Sequence, residues 1–574
     1  MYSVAQNVRR NRRGSSLMGC DIMKWAIRSN VSHKSTKQLL TILQSYDIDV
    51  PRDPRTLLST PRERSVQRKA NGYYYYFGLE ECLNQALDHL DETPAQVDIQ
   101  VNVDGARLPF TDRCSIWPIL VKICKMTIAP MVVCVFVCRN KPKPVEDYLE
   151  EFNQELEALL RRGMFVRDKF VVVNLQAFIC DAPARAHLKK IKPHNSYNSC
   201  ERCTVRGIQA CGSRAYIVDG SEVPRTDSDF DSLSYSDGQT CHQVGVSPLI
   251  GLVPCVSGFV LDSMHLVFLG VVKRLVSSWR SGFGNRARLL SENQVQVISQ
   301  QLQNLRGHLP SEMARQPALL NNSDTWKATE CREFILYLAP YVMKKFLPPD
   351  HYKALVALSI AIYILCDEDN TSRVAFLDYA KQLLHYFVSN SEVLYSQSFV
   401  SYNVHSLLHI ADDVQQFNCS LNDISAFPFE SYQHFLVALL RGSRNPAQQI
   451  VNRLIEQKQA GFRRHLTTCK AKVSESTRDH CYFLRGNNVI FITNVMDDGF
   501  MGYLVHFSKF DDAFNCGIIS TKFKIGTIRK TAVWNSITVK VQSCDFACKA
   551  VSYPCDDHFV VIPLAHYGRD RVSS

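Results

Sequence analysis

The stretch Val97-Asp98-Ile99-Gln100-Val101-Asn102-Val103-Asp104-Gly105 decides how the rest of the chain reads. Val97, Ile99, Val101 and Val103 alternate with polar residues, the period-2 signature of a strand with one buried face. The strand ends in an aspartate beside a glycine. A carboxylate at a strand end is either a turn residue or a ligand held on a rigid element, and the downstream chain separates the two.

Ser115 to Ile123 is a second short apolar stretch. Met131 to Cys138 is apolar throughout, so a central strand is expected there. Val145 to Arg162 is an amphipathic helix with Tyr148, Leu149, Phe152, Leu156, Leu159 and Leu160 on one face, closed by Gly163. Phe170 to Ile179 is a fourth strand that runs into Asp181, with a helix starting near Pro183. The order strand (Asp104), strand, strand, helix, strand (Asp181), helix is that of a ribonuclease H-like fold. In that sheet the first and fourth strands are neighbours and parallel, so Asp104 and Asp181 are expected to share a metal ion.

Outward from these strands, the N-terminal region 1–70 is basic and helical. It has helical patterns at Ile22–Ile27 and Thr36–Leu43, then a proline-broken linker bearing Arg52, Arg55, Arg62 and Arg64. Tyr73 to Tyr76 reads as a strand or packing surface, and Leu79 to Leu90 as a helix. Residues 71–215 form the first part of the core and 216–400 a helical insertion that begins in a Ser-, Asp- and Gly-rich loop. Helical segments are expected at 261–279, 290–306, 325–346, 351–366, 372–389 and 402–417. Residues 401–470 hold a histidine-bearing helix and a final helix from Glu430 to Leu440. Residues 471–574 form a small β-rich C-terminal domain, with strands at 481–484, 489–493, 502–507 and 558–563. The fold class is therefore α/β, with a large helical insertion.

The net charge of +11 suits a polyanionic partner, and the apolar content of 46% argues against a mainly disordered chain. No signal-peptide pattern precedes the 21 cysteines, so reduced thiols are expected. The longest uncharged apolar run, Ile128 to Cys138, is too short to span a bilayer, and no membrane is expected. The cluster Arg9–Arg13 reads as a nuclear signal or as a solvated basic terminus.

Phosphodiester chemistry needs hard oxygen ligands around divalent ions, and two aspartates with a glutamate supply them. Cys200-x2-Cys203 has metal-ligand spacing, and His405-Ser-Leu-Leu-His409 places two rings on one helix face. Together they make a Cys2His2 zinc set; separately they are a buried thiol pair and an ordinary helix. Lys189, Lys190 and Lys192 form a charge cluster that is either solvated surface or a phosphate contact.

Asp104-Gly105, Cys180-Asp181-Ala-Pro-Ala184, the cysteine pair, the histidine pair and Glu430 occur in an order that resembles the DDE transposases of the CACTA, Mirage and Chapaev group. The same order resembles the catalytic core of the V(D)J recombinase. The resemblance covers roughly residues 95–445. It implies Asp104, Asp181 and Glu430 as ligands of Mg2+ or Mn2+, and Cys200, Cys203, His405 and His409 as ligands of a structural Zn2+. Asp262-Ser-Met-His265 also resembles a motif of the group, implying that His265 approaches the scissile phosphate; the alternative is a helix-face histidine packed in the insertion.

The expected activity is metal-dependent cleavage of double-stranded DNA and strand transfer, acting on transposon ends and target in the nucleus, as a homodimer by analogy. Two other readings share the scaffold: a domesticated, non-catalytic DNA-binding protein, and a nuclease without strand transfer.

Overall fold

The computed structural model of the protein describes residues 18–63, 65–110, 114–284, 286–313, 315–462 and 472–565. The cluster Arg9–Arg13 and the linker's Arg64 lie outside them. The chain is mixed α/β and divides into two compact units, Met1–Phe178 with Phe427–Thr467 and Ile179–Ala426 with Thr468–Ser574.

The first unit is built on a mixed sheet. Its strands are β1 Gln67–Lys69, β2 Gly72–Tyr76, β3 Gln96–Val103, β4 Ala106–Arg107, β5 Ser115–Ile116, β6 Ile119–Ile123, β7 Met131–Cys138, β8 Met164–Val166 and β9 Lys169–Cys180, which leads out of the unit after Phe178. The order is β1-β2-β7-β6-β3-β9. Along this path each pairing is antiparallel except that of β3 with β9, which is parallel and sets Val97 opposite Val173 and Val101 opposite Phe178.

The alternation in β3 suggests one solvated face, but Gln100 and Asn102 are as buried as Ile99, Val101 and Val103. Gln100 meets this by donating from Nε2 to Gln176 Oε1 on β9 at 2.7 Å. Each fully buried valine or isoleucine adds about 1.5–3 kcal/mol over an exposed one, so the strand is a fixed mount for Asp104. The helix Val145–Arg162 buries Tyr148, Leu149, Phe152, Leu156 and Leu159, and Tyr148 donates its hydroxyl to Trp117 O at 3.1 Å. The second apolar stretch is two strands, β5 and β6, because Pro118 cannot donate to a ladder. At this break Trp117 lies over Gly105: a Cβ there would sit 2.5 Å from the indole, so only glycine fits after Asp104.

Helices over 18–28 and His33–Ser45 precede the sheet, the latter capped by the Ser32 hydroxyl. Leu40, Val50 and Leu57 form their small core.

The second unit contains β10 Ile208–Ala210, β11 Ser213–Ala215, β12 Phe259–Leu261, the helical block, and a separate antiparallel sheet. The strands of that sheet are β13 Cys481–Leu484, β14 Asn488–Met496, β15 Gly499–His506, β16 Asp511–Asp512, β17 Gly526–Arg529, β18 Ile537–Val541, β19 Phe546–Cys555 and β20 His558–Pro563, ordered β16-β17-β20-β19-β13-β14-β15-β18. Four of them are not legible as strands in the sequence. In β19 the obstacle is Lys549, whose ammonium is buried between Glu312 (2.7 Å) and Asp479 (2.7 Å).

The helical block departs from simple periodicity in two places. The expected helix 261–279 starts as strand β12, passes through a π-helical turn, Met264–Val272, and becomes α-helical only over Lys273–Ser281. The expected helix 325–346 is split, with a π-helical turn at Phe334–Leu338, where Pro340 has no N–H for the Leu336 carbonyl. The helix Pro349–Cys366 is buried at every residue from Ala354 to Cys366. Among the described residues no helix is long and apolar enough to cross a membrane.

Glu333, at the end of the helix Ala328–Glu333, is buried and its Oε2 has no hydrogen-bond partner among the described residues. Burial, opposed by Arg332 and reinforced by Glu330, pushes its pKa up to about 8. The folded chain then keeps a proton that the unfolded chain releases above the ordinary glutamate range. Stability is therefore expected to fall between about pH 5 and 8, by up to about 1.4 kcal/mol per pH unit from this group. Glu333→Gln should flatten that slope in thermal melts across the window; parallel wild-type and variant profiles would refute the assignment.

Candidate metal centres

The second unit brings Cys200, Cys203, His405 and His409 together, each offering one donor atom, all within 4.8 Å of one another. Sγ of Cys200 and Cys203 are 3.5 Å apart, and the two Nε2 atoms are 3.4 Å apart. Cys203 Sγ lies 3.3 Å from His405 Nε2 and Cys200 Sγ 3.6 Å from His409 Nε2. A tetrahedral zinc ion with ordinary Zn–S and Zn–N bonds needs edges of about 3.3–3.8 Å, so the four donors could hold one. A cavity of about 340 Å³ reaches Cys203, His405 and His409 and gives an ion a way in.

The local chain explains the geometry. Cys200 and Cys203 sit in a tight turn in which the Arg202 N–H donates to Cys200 Sγ at 3.4 Å. Buried Arg225 donates from Nε to the carbonyls of both cysteines, at 3.1 Å each. The histidines were expected on one α-helix. Instead the helix Tyr402–Ser406 tightens into a 3-10 turn at Leu407–His409 before Ile410–Phe417 resumes. Burial opposes ionisation of Cys200, but the hydrogen bond from Cys203 and the two imidazoles hold its thiol well below the usual range. Cys203 moves up, through its hydrogen bond to Cys200 and its burial. A dication would remove the conflict by taking both as thiolates.

The two residues between the cysteines, Glu201 and Arg202, were not singled out from the sequence. Glu201 is buried and accepts from Arg185 Nε (2.9 Å), Lys189 Nζ (2.7 Å) and the Tyr402 hydroxyl (2.6 Å). Burial opposes its charge, but Arg185 and then Lys189 hold its carboxyl far below the usual range. Arg202 donates to Asp413 Oδ1 and to the Phe259 carbonyl, both at 2.6 Å, and Asp413 Oδ2 accepts from Leu261 N at 2.7 Å. The only hint in the sequence was their position inside the cysteine pair. Lys189 corrects the reading of 189–192 as one exposed basic cluster: its ammonium is buried in this ion pair and cannot contact a phosphate backbone.

In the first unit Asp104 and Glu430 present carboxylate oxygens within 4.8 Å of each other. Asp104 directly follows β3, and its Oδ1 accepts the Gly105 N–H at 2.6 Å. Glu430 lies in the first turn of the helix Phe427–Ala438. One turn on, Gln433 donates from Nε2 to the Asp104 carbonyl at 3.1 Å and fixes that helix to the strand end. Two carboxylates this close repel unless a cation or proton lies between them.

Asp181 and His265 belong to the second unit. Asp181 follows β9 and caps the helix Ala182–Leu188, its Oδ1 accepting from Ala184 N at 2.7 Å. His265 lies in the π-helical turn, with Nδ1 2.7 Å from Oδ2 of buried Asp262. The other oxygen of Asp262 accepts from Ala426 N at 2.7 Å, so the pair is built into the backbone.

Glu201→Gln should leave Arg185 and Lys189 buried without a counter-charge. The expected loss is about 3–5 kcal/mol, read as a lower thermal midpoint; a shift of under about 1 kcal/mol would show that the network is not a structural tie.

A comparison with known families found no matching family model, and none of the curated proteins matches the chain. The functional reading therefore rests on this chemistry alone.

Proposed function

We propose that the protein is a transposase-type enzyme that cleaves and joins double-stranded DNA on a ribonuclease H-like core, with Asp104, Asp181 and Glu430 as its metal ligands. The single observation that carries this reading is the convergence of Asp104 and Glu430, which lie far apart in sequence. Two features of the sheet support it. The strand bearing Asp104 is parallel to and paired with β9, and Asp104 and Asp181 each come three residues after the matched pair Val101 and Phe178. That equal offset is what two carboxylates on neighbouring parallel strands need to serve one ion pair.

Hard carboxylate oxygens fit Mg2+ or Mn2+, which when bound would supply charge neutralisation at a scissile phosphate and a reactive hydroxyl. The chain's own part is orientation. Gly105 and Trp117 fix the exit of β3, and Gln433 fixes the helix that bears Glu430. Asp262 holds the His265 ring by Nδ1, in keeping with a role beside phosphate. Cys200, Cys203, His405 and His409 are assigned to structural zinc, with a nuclear, dimeric protein as the setting.

Asp104→Asn and Glu430→Gln are each expected to lower Mn2+-dependent nicking of supercoiled plasmid by about 100-fold or more, with duplex affinity kept within about threefold. Wild-type rates in both variants would sink the assignment. Tight DNA binding by a wild-type protein that never nicks would favour the non-catalytic reading, and nicking without joined products the plain nuclease.

Elemental analysis of the purified protein should give about one zinc per chain. Cys203→Ser should lose the zinc and lower the thermal midpoint. A zinc-free protein with an unchanged melt would refute the zinc assignment.

A further inference from the structure

A second charged feature lies in the first unit, away from the carboxylates. A cavity of about 770 Å³ is lined by Lys34, Arg55, Arg62, Arg441 and Arg453, with only Asp53 and Glu63 as acids on its walls. Asp53 is partly spent, because its Oδ1 caps the Arg55 N–H at 2.7 Å. Among the described residues none of Lys34, Arg55 and Arg62 has an ion-pair partner, and only Arg453 is neutralised, by Glu456 at 2.5 Å. Five cations from the entry helix, the proline linker and the segment around the helix Pro446–Gln459 thus face one space with little counter-charge.

The crowding is visible at His33. Its Nε2 lies 2.6 Å from Arg453 Nη2 and must accept, so the ring is neutral. Burial first, then Arg453 and Arg55, drives its pKa down to about 4.

We infer that this cavity grips the phosphate backbone of a DNA duplex. The lining favours that occupant over others. The five cations come from three separate segments and outnumber the two acids, an excess that suits successive phosphates better than a single phosphate ion. Gln448 and Gln449 spend their amide hydrogens on Ser65, Asn452, Gly442 and Arg444, which leaves Asn452 as the neutral amide donor on the walls; backbone phosphates accept from amides as well as from cations. No phenyl, phenol or indole ring lines the cavity, and its one imidazole, His33, is held against Arg453, so it offers little aromatic surface on which unpaired bases could stack. The inference rests on the proposed function only in taking DNA as the polyanion; it does not require the carboxylates to be active.

The test is binding of a short labelled duplex to the full chain in buffer without added Mg2+ or Mn2+, by fluorescence anisotropy at several salt concentrations. The triple variant K34Q/R55Q/R62Q is expected to bind about tenfold more weakly, and its slope of log affinity on log salt to flatten by about 0.9 for each phosphate it no longer neutralises. Its thermal midpoint should match wild type, since all three side chains are exposed. A control with equal loss of charge, K509Q/K522Q/K524Q, should bind as wild type. Unchanged affinity and slope in the first triple would overturn the inference, as would an equal loss in the control. So would displacement of the duplex by inorganic phosphate at constant ionic strength, which would mark a small-anion site. Because leaving out Mg2+ and Mn2+ removes cleavage, this assay can fail while the nicking assay succeeds, and the reverse.

Discussion

The four-residue turn Cys200-Glu201-Arg202-Cys203 is the constraint on which the second unit most depends. Every side chain in it is committed in a different direction. The thiols face the imidazoles of His405 and His409. Glu201 turns back to the helix after Asp181, through Arg185 and Lys189, and Arg202 reaches Asp413 and the strand Phe259–Leu261. A buried charge is tolerated only where its partners are fixed, so the turn and the helices it meets specify one another. The Arg225 guanidinium under both cysteine carbonyls closes the arrangement from the backbone side.

The first unit poses a different problem, since its last two helices, Phe427–Ala438 and Pro446–Gln459, arrive only after the whole of Ile179–Ala426. Long excursions are tolerable because loop-closure entropy grows only logarithmically, about 0.6 kcal/mol for each doubling of length. An excursion that folds into its own compact unit also has ends that are already ordered. What remains is to seat the returning helix Phe427–Ala438 correctly; burial of Phe429 and Leu436 helps to do so, with the hydrogen bond from Gln433 to the Asp104 carbonyl one turn away from Glu430.

Local pattern made much of this legible. The period of two in β3, the apolar run of β7 and the amphipathic face of Val145–Arg162 each report burial directly, and the structure has those elements where they were expected. The pattern failed where burial and polarity part company. Gln100 and Asn102 look solvent-facing yet are buried, and Gln100 satisfies its amide on Gln176 of the neighbouring strand. Lys549 hides β19 and Lys189 imitates a surface cluster, because each ammonium meets carboxylates from distant segments. The basic cavity was half visible: Arg55 and Arg62 stood out in the linker, whereas Arg441 and Arg453 are ordinary until the fold brings them alongside. Tertiary pairing of charge has no period, so no window of sequence contains it.

The two donor sets also differ in how sequence records them, and the difference follows from coordination chemistry. Soft, closed sets are assembled in pairs three and four residues apart, because one turn or one helical face can aim two ligands at a single ion. The pairs 200/203 and 405/409 therefore announce themselves before any fold is known. Hard, open sets that must leave room for a polyanion are built from the ends of separate elements, where carboxylates can converge without filling the space between them. Asp104 at a strand end and Glu430 in a helical first turn are of that kind. Each is ordinary alone: the order of strands gave reason to expect Asp104 beside Asp181, and only the resemblance to the transposase group pointed to Glu430.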